Sequence, residues 1–322
     1  MQALTKECNQ YPPEAVPDQD RTGLHLQELT LDDKASFDRL LADLKPETSD
    51  LTFTNLLMWQ HSYGLTVYYD KTLDYWFIYA KPPRWKKFFL PPVGDWNDSR
   101  KLTAAWEWMA EFSRRQQFPF WMRRTPRSLA ESFAAIIPGI ELQEDRNTFD
   151  YLYRTTDLVQ LAGRKFHGKK NHLNQFQRKY RWTYQAMTPE IAAQCLELET
   201  SWFNVKETAQ HACSEEEQAM ALVLTHFSQL QLTGGVIMID DQIQALALGE
   251  QLNPLTGVIH IEKANTEIDG IYAAINQQFA ANGMSDKEFI NREEDMGIEG
   301  LRKAKLSYNP CRLIEKFNLS FQ

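Results

Sequence analysis

One order of elements runs along this sequence twice, and that repetition constrains the fold more than any single motif. In the first pass, residues 24–29 read as a short strand. Thr30 and Asp32 supply N-cap chemistry for a helix to about Leu44, with Phe37, Leu40, Leu41 and Leu44 at helical spacing. A short helix at 53–59 follows, then a hairpin of 65–69 and 75–79 around Asp70-Lys71, a strand near 87–90, an amphipathic helix at 101–115 and a strand at 118–122. The second pass gives a strand at 182–186, a helix opened by Thr188-Pro189-Glu190 and a helix at 215–230. A hairpin of 235–239 and 243–248, a strand at 258–261, a helix at 270–282 and a strand at 288–290 complete it. Thr30 and Thr188 lie 158 residues apart, and Thr103 and Ile271 lie 168 apart. Spacings of that size indicate a duplicated domain rather than a short solenoid repeat.

The expected fold class is therefore α/β (α+β): two domains, each a mixed, mainly antiparallel sheet packed with helices. A proline-bearing lead-in at 1–21 precedes domains at 22–154 and 155–322, in keeping with ~150 residues per domain. The element order resembles that of Gcn5-related N-acetyltransferase (GNAT) folds. A chain that is 43% hydrophobic and 24% charged is neither disordered nor fibrous. No apolar run reaches the ~18–20 residues of a membrane helix, and the first residues lack a secretory signal. Cys8, Cys195, Cys213 and Cys311 lie far apart, as reduced thiols do. The expected location is the cytoplasm.

The net charge of −8 hides a strong local departure. Residues 164–181 hold seven Lys/Arg and no acid, so the rest of the chain carries −15. Phe166, Phe176, Tyr180 and Trp182 are interleaved with the cations, a pattern suited to stacking on bases beside phosphates. The plainer reading is a solvated basic helix face. Gly163 to Lys169 fits G-x-x-x-x-G-K, but Lys170 stands where a phosphate-binding loop needs Ser or Thr. His167 and His172 are five apart and so do not share a helix face, and no metal site is expected.

Two further constellations stand out. Asn291-Arg-Glu-Glu-Asp295 follows a short strand, and Arg302, Lys303, Lys305 and Tyr308 come after it; these can equally form a salt-bridged helix. His260 and Glu262 lie on a central strand that leads to Asp269-Gly270 and a helix. A GNAT enzyme holds the coenzyme A diphosphate on a glycine-rich loop at that helix start. Here Glu267 and Asp269 would repel it, and residues 93–98 of the first half are no better suited. Lys81-Pro-Pro-Arg84-Trp85-Lys86-Lys87-Phe88-Phe89 joins cations to large aromatics and suits either a basic turn or contact with an anionic membrane surface.

Residues 163–174, His260–Asn265 with Ile271–Asn276, and 291–305 together resemble the soluble relatives of the C-terminal catalytic domain of bacterial phosphatidylglycerol lysyltransferases. The resemblance implies two tandem GNAT-like domains, as in the Fem transferases, and transfer of an amino acid from aminoacyl-tRNA to an amine or hydroxyl. Glu262 or His260 would then accept a proton or bind the amine. Arg164, Lys165, His167, Lys169, Lys170, Asn171, His172 and Asn174 would receive the tRNA acceptor end. Asn291, Arg292, Glu293 and Asp295 would line the aminoacyl subsite, with Arg302, Lys305 and Tyr308 near phosphate. An acyl-CoA-dependent acyltransferase and a non-catalytic binding module are the alternatives, and an anionic lipid head group is a further expected partner.

Overall fold

Thr30 begins the first ordered segment by donating its N–H to the Asp33 carboxylate at 2.9 Å across a 3-10 turn, Leu31–Asp33. The computed structural model describes residues 26–203 and 215–321; the expected lead-in, and residues 24 and 25 of the expected first strand, lie outside them. Leu26 to Leu29 pair with the sheet through one bridge, Gln27 to Val67, rather than as a strand. Helices α1 (Lys34–Leu44) and α2 (Phe53–Tyr63) follow. Gly64 closes α2 at φ +54, where a Cβ would strike the Lys81 carbonyl oxygen at 2.4 Å, so only glycine fits there. Then come β1 (Leu65–Asp70), β2 (Tyr75–Ala80), β3 (Phe88–Val93), α3 (Ser99–Arg115), β4 (Phe120–Pro126), α4 (Arg127–Ile136) and β5 (Glu141–Glu144).

The second half begins with β6 (Asp150–Arg154), α5 (Thr155–Gln160) and α6 (His167–Lys179), the last carrying the basic run. It continues through β7 (Trp182–Ala186), α7 (Pro189–Phe203), α8 (Glu215–Thr225), β8 (Thr233–Ile239), β9 (Gln242–Asn253), β10 (Thr256–Ala264), α9 (Ile271–Asn282), β11 (Phe289–Asn291), α10 (Glu299–Leu306) and β12 (Arg312–Ile314). The chain then returns to the first sheet as β13 (Lys316–Phe321). Helix α8 stops five residues short of the expected end at Leu230.

Two sheets result, ordered β1-β2-β3-β4-β13-β5 and β12-β6-β11-β10-β9-β8-β7. The neighbours other than β6 and β12 are antiparallel except for one parallel pair in each sheet, β3 with β4 and β10 with β11. The duplication is plain in that agreement. The strand beside β4 is β13, from the end of the chain, and the strand beside β11 is β6, from before the second repeat. Two compact units follow. One comprises the described residues to Asp150, Glu294–Glu299 and the chain from Ile314 onward; the other comprises Tyr151–Glu293 and Gly300–Leu313. A boundary at 154 with everything after it in one domain therefore gives way to a chain that crosses back.

Charge explains why β13 belongs to the first unit. Lys316 is fully buried (0% exposed), with its ammonium 2.7 Å from Asp150 and in contact with Asp50. Arg124, held at φ +59, donates to Asp50 at 2.6 Å and to Glu294 at 2.7 Å. Asp150 also accepts the Ser49 N–H at 2.7 Å. Burial alone would raise the pKa of Asp50, but Lys316 and Arg124 beside it hold it below the ordinary carboxylate range. The rest of this unit is packed by rings, among them Tyr75, Phe77, Phe89, Trp106, Phe112, Phe120 and Phe133. The second core is mostly aliphatic, built on Ile237, Ala245, Ala247, Ile259, Ala274, Ile275 and Ile290. No helix among the described residues is long and apolar enough to cross a membrane.

Removing one partner from such a buried cluster leaves uncompensated charge, so Lys316→Ala is expected to lower the unfolding free energy by about 3–5 kcal/mol. Lys34→Ala, which breaks an i,i+4 pair with Asp38, is expected to lower it by no more than about 0.5 kcal/mol. Urea titration of the two variants checks both values.

Candidate functional site

β10 and β11 pair only from Thr256↔Phe289 to Val258↔Asn291. Beyond that point β10 runs on to Ala264 while the other chain turns away, and the polar groups of the second unit gather where the strands part. The turn is built by side chains. The buried Asn291 amide oxygen accepts the Glu293 N–H at 2.7 Å, and Glu293 takes φ +56. Backbone bonds tie Arg292 N–H to Tyr151 O at 3.0 Å and Tyr151 N–H to Glu293 O at 3.2 Å. The Lys305 ammonium donates to the carbonyls of Arg292 and Glu293. Asn291 and Lys305 thus shape the turn, and Lys305 is taken up by backbone rather than held out for phosphate.

His260 sits where the β9–β10 register slips, between Ile259↔Gly249 and Ile261↔Leu248. Its side chain is 1% exposed, with Nε2 2.9 Å from Glu250 and Nδ1 2.7 Å from Glu293. Burial works against the imidazolium, but hydrogen bonds to Glu250 and Glu293 outweigh it and push the pKa up to about 10. A carboxylate against each ring nitrogen thus favours the charged imidazolium at His260. Of the two residues expected to accept a proton or bind the amine, Glu262 and His260, this weighs against His260 as the proton acceptor.

Two residues along β10, Glu262 makes a different set of contacts. One carboxylate oxygen accepts from Arg292 Nη2 at 3.0 Å and the other from Asn276 Nδ2 of α9 at 2.9 Å. The Arg292 guanidinium lies 4.8 Å from the Tyr308 ring centroid and 5.6 Å from that of Tyr153. Lys169 of α6 places its ammonium 4.2 Å from the same Tyr308 ring. Burial, and then the Arg292 charge, lower the Lys169 pKa, with Glu262 opposing. Burial pushes the Tyr308 hydroxyl up to about 12. Two buried atoms of this group, Arg292 Nη1 and Asn276 Oδ1, have no hydrogen-bond partner.

The structure thus brings together Lys169, Glu262, Arg292 and Tyr308, drawn from three separate stretches of sequence. Arg164, Lys165, His167, Lys170, Asn171 and His172 lie on the exposed surface of α6 and the turn before it, and Asn174 is half-buried. Lys165 pairs with Asp157 at 3.1 Å. Gly163 and Gly168 face open space, so this surface is uncovered within its unit. Arg302 is half-buried on α10. Asp295 leaves the group altogether: fully buried in the first unit, it pairs with Arg146 at 3.3 Å and accepts the Gly297 N–H at 2.8 Å. Sequence reasoning gave no role to Asn276 or Glu250. An asparagine inside the apolar run Ile271-Tyr-Ala-Ala-Ile-Asn276 was the available signal for the first.

The helix starts that would hold a coenzyme A diphosphate have close neighbours in both units. A Cβ on Gly270, just before α9, would lie 2.5 Å from the His172 carbonyl oxygen, so α6 backbone packs closely against that residue. At α3 the Asp98 carboxylate already accepts the N–H groups of Arg100 and Lys101 at 3.0 and 3.2 Å.

The two sheet-and-helix units form the tandem, mainly antiparallel α/β fold expected from the sequence. Residues 41–319 match the family described as phosphatidylglycerol lysyltransferase, C-terminal, and the chain belongs to that family. A conserved protein of unknown function from Bacteroides thetaiotaomicron is 32% identical, covering 93% of this chain and 100% of its own, with a TM-score of 0.83. The C-terminal domain of a putative lysylphosphatidylglycerol synthetase from Agrobacterium fabrum shares the fold at 15% identity, covering 90% of this chain and 92% of its own, TM-score 0.63. FemX shares it at 8% identity, covering 92% and 97%, TM-score 0.58. An uncharacterised curated protein of Mycoplasmoides gallisepticum is 26% identical over 194 residues, 56% of this chain and 62% of that protein, so the chain spans less than two thirds of its length.

The His260 clamp has a pH signature. Its folded-state pKa lies above the ~6.5 of an unfolded histidine, so its stabilisation is complete below pH ~6.5 and is lost as pH rises towards 10. Urea midpoints at pH 6, 8 and 10 are expected to fall by the equivalent of roughly 3–4 kcal/mol. His260→Gln should flatten that dependence.

Proposed function

We propose that this chain is an aminoacyltransferase that moves an amino acid from aminoacyl-tRNA to an amine or hydroxyl acceptor by direct attack. Its reacting centre is Lys169, Glu262, Asn276 and Arg292. The observation that carries this reading is the pair of unpartnered buried atoms, Arg292 Nη1 and Asn276 Oδ1, beside a carboxylate that already holds two donors. A buried donor and a buried acceptor left open are costly, and a ligand that meets both removes the cost.

The chemistry follows from the groups in place. An aminoacyl ester is already activated, so no covalent enzyme intermediate is needed. The acceptor nitrogen or oxygen attacks the ester carbonyl carbon, and the tetrahedral oxyanion forms beside Arg292 Nη1 and the Lys169 ammonium. Asn276 Oδ1 accepts a hydrogen bond from the attacking group and orients it. Glu262 receives the acceptor proton. Collapse breaks the bond to the tRNA ribose oxygen, which leaves as the hydroxyl with a proton returned to it, and an amide or ester bond to the acceptor remains. The exposed cations of α6 continue outward from Lys169 and suit the phosphates of an acceptor stem.

Acyl-CoA as donor is disfavoured by the α6 backbone packed against Gly270 just before α9, by Glu267 and Asp269 ahead of that glycine, and by the Asp98 cap on α3. A non-catalytic binding module shares the basic helix and differs only in making no product.

A transfer assay with labelled aminoacyl-tRNA and a panel of lipid, peptide and small-amine acceptors separates these readings. Glu262→Gln is expected to lower the transfer rate by roughly 10²-fold or more with tRNA affinity unchanged. The double variant Lys169→Glu/Lys170→Glu is expected to weaken tRNA binding at least ~10-fold at moderate salt. Unchanged tRNA affinity in the double variant would remove the donor assignment. Thermal stabilisation by acyl-CoA, about 2.7 kcal/mol at 100 times its Kd, would favour the acyl-CoA reading instead.

A further inference from the structure

The loop between β2 and β3 reads Lys81-Pro-Pro-Arg84-Trp85-Lys86-Lys87, four cations and no acid, and nothing in the reaction proposed above uses it. Along β4, Phe120 and Met122 point into the aromatic core of the first unit. Trp121 and Arg123 alternate with them and so lie on the other face. There they meet the loop. The indoles of Trp85 and Trp121 are 4.8 Å apart between centroids, and the Arg123 guanidinium lies 3.9 Å from the Trp85 ring and 5.4 Å from the Trp121 ring. Lys86 lies 5.5 Å from the Trp121 ring, and Lys87 lies 5.7 Å from that of Phe118. Buried Phe88 anchors the loop edge-on beneath Trp85 at 5.5 Å.

Arg123 is only 8% exposed. Its Nη2 lies 3.3 Å from Asp145, and its Nε–H meets no acceptor. A purely structural stack accounts for Arg123 and the two indoles. Around them Lys81, Arg84 and Lys86 are exposed at the surface.

We infer that this face of the first unit docks on an anionic lipid bilayer, with Lys81, Arg84, Lys86 and Lys87 against the phosphates and the Trp85–Trp121 pair at the boundary between head groups and acyl chains. Half-buried indoles flanked by cations are the side chains that settle at such an interface. Single-stranded RNA fits less well, because base stacking needs an open ring face and these rings are taken up by each other, by Arg123 and by Lys86. Each cation near an anionic surface strengthens binding about fivefold, so a patch of four gives reversible attachment. The inference does not rest on the transferase reading.

The test is co-sedimentation of the full chain with phosphatidylcholine vesicles, with and without phosphatidylglycerol, at about 0.1 M salt. Binding is expected to the anionic vesicles only and to weaken as salt rises. The variant Arg84→Glu/Lys86→Glu changes two exposed side chains and should melt at the wild-type temperature while binding at least ~10-fold more weakly. Lys169→Glu/Lys170→Glu should bind vesicles as the wild type does. Equal sedimentation with both vesicle types, or none, overturns the inference, as does undiminished binding by Arg84→Glu/Lys86→Glu. Loss of vesicle binding in the α6 variant would move the surface to α6. Release by glycerol 3-phosphate at constant ionic strength would replace the bilayer with a small phosphate site. Loss of tRNA binding in Arg84→Glu/Lys86→Glu would assign the patch to RNA. Aminoacyl transfer to a soluble acceptor should persist in Arg84→Glu/Lys86→Glu, so failure of one proposal is distinguishable from failure of the other.

Discussion

A histidine buried between two carboxylates helps fix where Arg292 and Glu262 meet in the second unit. His260 leaves the regular register of β10 at a bulge and holds Glu250 on one ring nitrogen and Glu293 on the other. Glu293 has a left-handed backbone that few residues other than glycine adopt without cost. The contact with His260, the Asn291 side chain and the Lys305 ammonium together hold that conformation. With Glu293 fixed, Arg292 is aimed at Glu262 across the gap left where β10 and β11 stop pairing. A neutral histidine at 260 would leave one nitrogen without a proton facing a carboxylate, and the turn would lose one of its supports.

The first unit meets the same problem, charge in a place where water is absent, with different residues. Lys316 and Arg124 are set among Asp50, Asp150 and Glu294. The cluster joins the segment before α2, strand β4 and the returning β13, none of them neighbours in sequence. Glu293 and Glu294 are adjacent in the chain yet serve different units, the one bound to His260 and the other to Arg124. A side chain at each of these two positions is therefore needed for polar satisfaction as well as for shape.

Much of this architecture was legible because periodicity and punctuation are local. Pro189 at the first turn of α7, the alternation through β8 and β9, and the Gly270 stop before α9 mark their elements without help from tertiary contacts. The exchange of β6 and β13 was not legible. Strand pairing across more than 130 residues leaves no local trace, and the signal for β13, a buried lysine, looks in sequence like any other lysine. Of the residues expected to share a site, Glu262, Arg292, Lys169 and Tyr308 lie together, whereas His260 is clamped between two carboxylates and Asp295 belongs to the other unit. The pKa of a histidine is set by its partners, and Glu250 lies on a different strand. Asp295 follows Arg292 by three residues, but the left-handed residues Glu293 and Met296 turn the chain between and after them.

The net charge offers the same lesson at larger scale. A total of −8 says little about partners when residues 164–181 carry seven cations without an acid and a single loop in the other unit carries four more. Field strength at a surface depends on charges within about a Debye length, ~10 Å, and a residue total averages over many times that distance. The two patches also differ in kind. On α6 the cations lead to half-buried Lys169, whose charged form is disfavoured by burial and by Arg292 and favoured by Glu262. On the β2–β3 loop they surround indoles already engaged with one another, an arrangement suited to adhesion. Charge of one sign thus stands in two different settings, and the aromatic and carboxylate neighbours make the difference.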